Sequence, residues 1–154
     1  MINNQEAIRA QLNFWRTELN CDRILIAQFH NGTQSLSGCQ FVKFDVTYTS
    51  LKAGESDINK SDFQNVHISQ YNIIPRIWRY SYVKLTMSEL KDIDFKLYSN
   101  IKQYAPKIKT CIFYKLTYGG QSDGVVMYLF RDNVKIDDTT INQATEDINE
   151  ILHP

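Results

Sequence analysis

The chain has 154 residues, enough for one domain with one core, and its 43% hydrophobic and 22% charged residues are ordinary for a globular protein. Its 17 basic and 17 acidic side chains cancel, so it lacks the electrostatic footprint of a dedicated nucleic-acid binder. No apolar run approaches the roughly 18 residues needed to span a bilayer, so neither nucleic acid nor membrane is an expected partner.

In NNQEAIRAQLNFWRTELN, Ile8, Leu12, Trp15 and Leu19 recur at helical spacing, and Asn3 or Asn4 caps the start. DRILIAQFH follows as an almost continuous apolar run, the pattern of a central strand buried on both faces. FVKFDVTYT alternates, with Val42, Phe44, Val46 and Tyr48 on one side and Lys43, Asp45, Thr47 and Thr49 on the other. The connection between these strands is rich in Asn, Gly and Ser, which predicts an antiparallel pair. LKAGESDINKSDFQN has no periodicity and reads as a long surface loop, of the kind that often forms a lid or contact surface. VHIS is a short extended piece, QYNIIPRIWRY a brief helix with Pro75 near its first turn, and YVKLTM a strand. Ser88 then caps a helix running to Tyr104, with Leu90, Ile93, Leu97, Ile101 and Tyr104 on one stripe and Pro106 closing it. IKTCIFYKLTY and GVVMYLFRD form a hairpin across GGQSD, a loop of several residues. Last, DDTTINQATEDINEIL has Asp137, Asp138 and Thr139 as start signals, and Ile141, Ala144, Ile148 and Ile151 as its buried face. The order predicts a single α+β domain over residues 1–154, an antiparallel sheet with helices packed on it.

Three stretches carry a family resemblance: GVVMYLFRDNVKIDDTTINQATEDINEIL, FQNVHISQYNIIPRI, and FHNG with SGCQFVKFDVTY behind it. From about Asn3 to Leu152 the chain resembles a GAF-like domain, and is similar to small GAF-like proteins encoded by bacteriophages. The resemblance implies a central antiparallel sheet of five to six strands. The N- and C-terminal helices cover one face, and a loop with a short helix covers the other. It also implies a small molecule held under that cover, or dimerisation. INKSDF, from Ile58 to Phe63, has the Asn and Lys but not the rest of the Asn-Lys-Phe-Asp-Glu pattern of the cyclic-nucleotide class. No cysteine is placed as the bilin class needs. Free methionine-R-sulfoxide reductases share the fold, but their cysteines lie in the covering segment and the strand beneath it. Here Leu51 to Tyr80 has none.

The residues themselves offer little chemistry. Cys21, Cys39 and Cys111 are widely spaced and odd in number, against a disulfide framework and for a reducing compartment. The opening MINNQEAIRAQLNFW lacks a signal-peptide pattern, so a cytoplasmic location is expected, in a host cell or virion if phage-encoded. His30 and His67 each end a strand, but no acidic residue stands beside either in sequence to orient an imidazole. His153 is expected to be solvated. Cys21, His30 and Cys39 match no structural zinc spacing, and TYGGQSDG is no phosphate loop. No metal, cofactor or catalytic residue is therefore assigned. The leading reading is a non-enzymatic module that binds a small molecule or a protein, either a second copy or a phage or host partner. An oligomeric or virion-associated protein with a filled pocket, and an enzyme such as the reductase, are the alternatives. The ligand reading expects a cavity of a few hundred Å³, about the usual size. Its candidate residues are Phe44, Thr47, His67, Ser69, Tyr71 and Tyr128. Asn31 and Gly32 are read as the turn out of the first strand, or a pocket rim, braced by His30 through a ring hydrogen bond to loop backbone.

Overall fold

A computed structural model describes residues 4–34, 40–132 and 136–154. The chain begins with α1 (Asn4–Glu18), whose Ile8, Leu12 and Trp15 are buried, and leaves it through Asn20 at φ 52°. That left-handed conformation ends a helix at low cost in an asparagine. β1 (Arg23–Gln34) and β2 (Gln40–Leu51) pair antiparallel from Arg23↔Leu51 out to Gln34↔Gln40. A short β3 (Val66–His67) adds to β2, and α2 (Ile73–Tyr80) follows. Next come β4 (Tyr82–Thr86), α3 (Met87–Ile93) and α4 (Phe95–Tyr104). β5 (Thr110–Tyr118), β6 (Gln121–Phe130) and α5 (Asp138–Leu152) complete the order. The six strands form one antiparallel sheet in the order β3-β2-β1-β6-β5-β4.

β1 is central and buried on both faces, because Ile24 and Ile26 point one way and Leu25 the other. On one face α1 and α5 pack over Ile24, Ile26, Ile112, Val126 and Tyr128. On the other face α2, α3 and α4 pack over Leu25, Phe44, Val46, Phe113 and Leu129. The expected α+β architecture is therefore present, with terminal helices on one side and a cover on the other.

Four local expectations change. First, β1 continues through Asn31 and Gly32 to Gln34, so the chain does not turn there. The residues joining β1 to β2, including Gly38 and Cys39, lie outside the described residues. Second, Ile26 faces Tyr48 while Ala27 faces Val46, leaving Thr47 as the extra residue of a β-bulge. A bulge breaks the two-residue alternation, and Tyr48 joins the α1/α5 face while Phe44 and Val46 stay under the cover. Third, the helix expected from Ser88 to Tyr104 is two helices. Thr86, not Ser88, caps α3 in a reciprocal box with Glu89. The buried Asp94 then breaks the chain, accepting from Leu97 N–H at 3.0 Å to start α4 and from Ile73 N–H at 3.1 Å at the start of α2. Fourth, Gly119 and Gly120 at φ 58° and 78° make a two-residue hairpin turn, tighter than the loop expected from GGQSD.

Candidate functional site

Between the sheet and its cover lies a cavity of about 100 Å³. Its floor is Leu25, Ala27, Phe44, Val46, Val125 and Leu129, and its roof includes Ile58, Phe63, Ile73, Ile77 and Ile101. The segment after β2, expected as a plain loop, supplies part of that roof. Asn59 caps a 3-10 turn over Lys60–Phe63, which carries Phe63 over the cavity. The same segment is fastened at Asp57, which accepts from Thr49 Oγ1 at 3.2 Å and from Ile58 N–H at 2.7 Å.

Four residues with polar side chains, Arg23, Tyr71, Asn100 and Tyr104, border this space, but the surface it presents is almost wholly apolar. Asn100 Nδ2 donates to the Tyr71 hydroxyl at 2.7 Å, and Tyr104 donates to Asp62 Oδ2 at 2.9 Å. Burial pushes the Tyr71 hydroxyl up from its ordinary pKa, against the Asn100 bond, so it remains a neutral phenol at physiological pH. Phe63, Tyr71, Asn100 and Tyr104 also line a wider, polar cleft of about 400 Å³ outside, together with Gln64, Asn65, Gln70, Lys96 and Gln103. These four shared residues separate the inner cavity from the cleft.

Arg23 is only 1% exposed. Its Nη2 donates to Glu55 Oε2 at 3.1 Å and to the Tyr104 carbonyl at 2.9 Å, at the C-terminal end of α4. Glu55 Oε1 pairs with Arg131, which reaches Asp22 through Nε at 2.8 Å and through its backbone N–H at 2.7 Å. Among the described residues, Arg23 Nε and Nη1 have no hydrogen-bond partner. Burial draws the Arg23 pKa down, opposed by the charges of Asp57 and Asp22.

Of the residues named from sequence, Phe44 and Tyr71 line the cavity, with ring centroids 5.7 Å apart. The others lie elsewhere. Thr47 sits in the bulge, Ser69 is exposed in a 3-10 turn, and His67 pairs with Lys43 on β2. Val66 and Phe44 point under the cover, so His67 and Lys43 face the opposite side. Tyr128 lies against α5, where its hydroxyl meets Thr145 Oγ1 at 2.8 Å in a fully buried site. His30 meets a carboxylate, a partner that was not expected: its Nε2 is 3.2 Å from Asp45 Oδ1, which also accepts Asn65 N–H at 2.6 Å. Adjacency in sequence could not reveal that pairing, which forms across two strands. His153 is not free in solvent either, since it stacks on Tyr118 at 4.3 Å and its Nε2 is 2.8 Å from Asp123 Oδ2.

Arg23, Asn100 and Tyr104 also border the cavity, and none of them is among the candidates expected from sequence. The signal for Arg23 was present, as a charge opening a strand that is otherwise buried on both faces. Nucleophilic chemistry finds little support at the two described cysteines. Burial pushes Cys21 and Cys111 up to about 12, and they lie on opposite faces of the sheet, Cys111 against Met87. Among the described residues no three His, Cys, Asp or Glu side chains gather as a metal site would require.

Solved structures with a similar arrangement include GAF domains. One is the GAF domain/HD domain protein from Geobacter sulfurreducens, at 12% identity and TM-score 0.68, covering 98% of this chain and 91% of that one. The fold is GAF-like. A phycocyanobilin-bound GAF domain from a cyanobacterial phytochrome aligns at 12% identity and TM-score 0.64, covering 98% of this chain and 82% of that one. The GAF domain of a two-component sensor histidine kinase from Bacillus halodurans aligns at 12% identity and TM-score 0.59, covering 92% and 90%. No family model matches the sequence, and no curated protein matches it. At these identities the GAF-like likeness is one of fold.

Proposed function

We propose that this GAF-like domain is a non-enzymatic binding module for a small, mainly apolar molecule held between sheet and cover. The observation that carries the reading is the apolar cavity of about 100 Å³ beneath α2 and α4. It is smaller than the few hundred Å³ expected from sequence, and that bounds the ligand. An apolar cavity of about 150 Å³ is enough to take benzene, so the occupant here has about six non-hydrogen atoms or fewer. Phycocyanobilin, which the phytochrome neighbour binds, is far too large for this cavity. The small occupant also sets the scale of affinity. At a ceiling of about 1.5 kcal/mol per non-hydrogen atom, dissociation constants from millimolar to micromolar are expected.

The test is an NMR titration with cyclopentane and benzene, using the unaltered protein and Ala27→Leu. Ala27 lies on the cavity floor, and a leucine there occupies the space. The reading expects shifts confined to residues of the floor and roof, and their loss in the variant with the fold retained. Equal shifts in both proteins, or none in either, would refute it.

A further inference from the structure

We propose that the polar cleft outside the cover is a second ligand site, which takes an uncharged polyhydroxy molecule of the monosaccharide class. It is separate from the inner cavity and does not depend on a ligand there. Size is the first observation. The cleft measures about 400 Å³, within the range of roughly 300–1,000 Å³ usual for small-molecule sites. One wall is a single face of α4, where Lys96, Asn100, Gln103 and Tyr104 recur at helical spacing. The other wall is the chain from Asp62 to Val66, which leaves the 3-10 turn and enters β3.

The second observation is chemical. Unlike the inner cavity, the cleft presents a surface more polar than apolar. Five amide side chains line it: Gln64, Asn65, Gln70, Asn100 and Gln103. Each amide sets donors beside an acceptor, and a sugar hydroxyl is likewise both donor and acceptor, so the two match group by group. Gln64, Asn65, Gln70 and Gln103 are exposed. Neither the Asn65 nor the Gln103 side chain makes a hydrogen bond to another of the described residues. Phe63 and Tyr104, with ring centroids 5.8 Å apart, border the same cleft and offer apolar surface to the C–H side of a sugar ring.

The third observation is charge. The cleft holds one cation, Lys96, and one anion, Asp62. Lys96 Nζ donates to Gln70 Oε1 and lies 5.3 Å from the centre of the Tyr71 ring. Asp62 Oδ2 accepts from the Tyr104 hydroxyl at 2.9 Å. The two charges balance, and each already has a partner. A charged ligand therefore meets no surplus of opposite charge, whereas an uncharged polyol uses the amides and disturbs neither pair.

The experiment is an NMR titration that follows backbone and side-chain amide signals. The probes are glucose, galactose and mannose as neutral sugars, with protonated glucosamine, glucuronate and adenosine for comparison. Titrations use the unaltered protein, Gln103→Leu, Asn65→Gly and Ala27→Leu. Leucine suits an exposed helix position, and glycine tolerates the φ of 53° at Asn65, so both cleft variants should fold. The proposal expects at least one neutral sugar to bind in the millimolar range and to shift the side-chain amides of Asn65, Gln70 and Gln103. Affinity should fall about fivefold in each cleft variant, the loss of one hydrogen bond, and stay unchanged in Ala27→Leu. Shifts from none of the three sugars, shifts only outside the cleft, or equal affinity in both cleft variants would overturn the site. Tighter binding of glucosamine, glucuronate or adenosine would overturn the uncharged polyol class. A loss in Ala27→Leu as large as in the cleft variants would overturn the separation of the two sites. Failure of the cyclopentane and benzene titration would bear on the inner cavity alone.

Discussion

Asp94 ties together two helices of the cavity roof. It is 1% exposed, and its two carboxylate oxygens accept the Ile73 N–H at 3.1 Å and the Leu97 N–H at 3.0 Å. One side chain thus secures the first turns of both α2 and α4, the helices that carry Ile73, Ile77, Asn100 and Ile101 over the cavity. Asp94→Ala leaves two backbone donors without acceptors. At about 1.5–3 kcal/mol for each bond to a charged group, the expected loss is about 3–6 kcal/mol. That is a large share of the roughly 5–15 kcal/mol that holds a domain folded. Asp94→Asn keeps one acceptor oxygen and remains a good N-cap, so it should lose about half as much. With a urea m-value near 2 kcal/mol per molar, the alanine variant's midpoint should fall by about 1.5–3 M. The asparagine variant should lie between it and the unaltered protein. An alanine variant within about 0.5 kcal/mol of the unaltered protein would refute this account of the roof, as would equal losses in the two variants.

Other expected outcomes follow from the same geometry. A Cβ at Gly124 would sit 2.2 Å from the Ala27 carbonyl oxygen, so Gly124→Ala should cost about 1–3 kcal/mol or more by denaturant titration. Tyr128→Phe should cost about 1 kcal/mol and leave ligand affinity unchanged, because its hydroxyl serves Thr145 on the far side of the sheet. The thiols of Cys21 and Cys111, raised from 9.0 to about 12 by burial, should resist alkylation at pH 8 in the folded protein, as read by peptide mapping. The same shifts make stability fall with alkaline pH. Between about pH 9 and 12 the unfolded thiols lose protons that the folded ones keep, and the unfolded state is favoured progressively. A thermal midpoint that holds constant across that range would contradict the burial of both cysteines.

Much of the fold was legible because burial imposes periodicity. The stripe Ile8, Leu12, Trp15 marked α1, the apolar run after Asp22 marked a strand buried on both faces, and Ile141, Ala144 and Ile148 marked α5. What periodicity cannot register is a change of phase. The bulge at Thr47 turns Tyr48 to the opposite face although its sequence alternates cleanly. The break at Asp94 sits inside an unbroken apolar stripe, because one of the hydrogen bonds that make it comes from Ile73 at the start of a helix 21 residues upstream. Of the candidate residues read from sequence, Phe44 and Tyr71 line the cavity. His67, Ser69, Thr47 and Tyr128 were read from residue type, but strand phase and register decided which of them the cavity could reach. Arg23 shows the reverse case. The sequence shows only a charge opening an apolar run, whereas its burial and its partners, Glu55 and the Tyr104 carbonyl, come from distant segments.

The central claim is that a small apolar molecule has room between the sheet and its cover, and a crystal pressurised with xenon tests it most directly. Xenon enters dry apolar cavities of this kind and reports its position by anomalous scattering. The account predicts a bound atom among Leu25, Ile77, Ile101 and Val125, absent from a crystal of Ala27→Leu. Xenon bound only elsewhere in the unaltered protein, or bound equally in the variant, would contradict it.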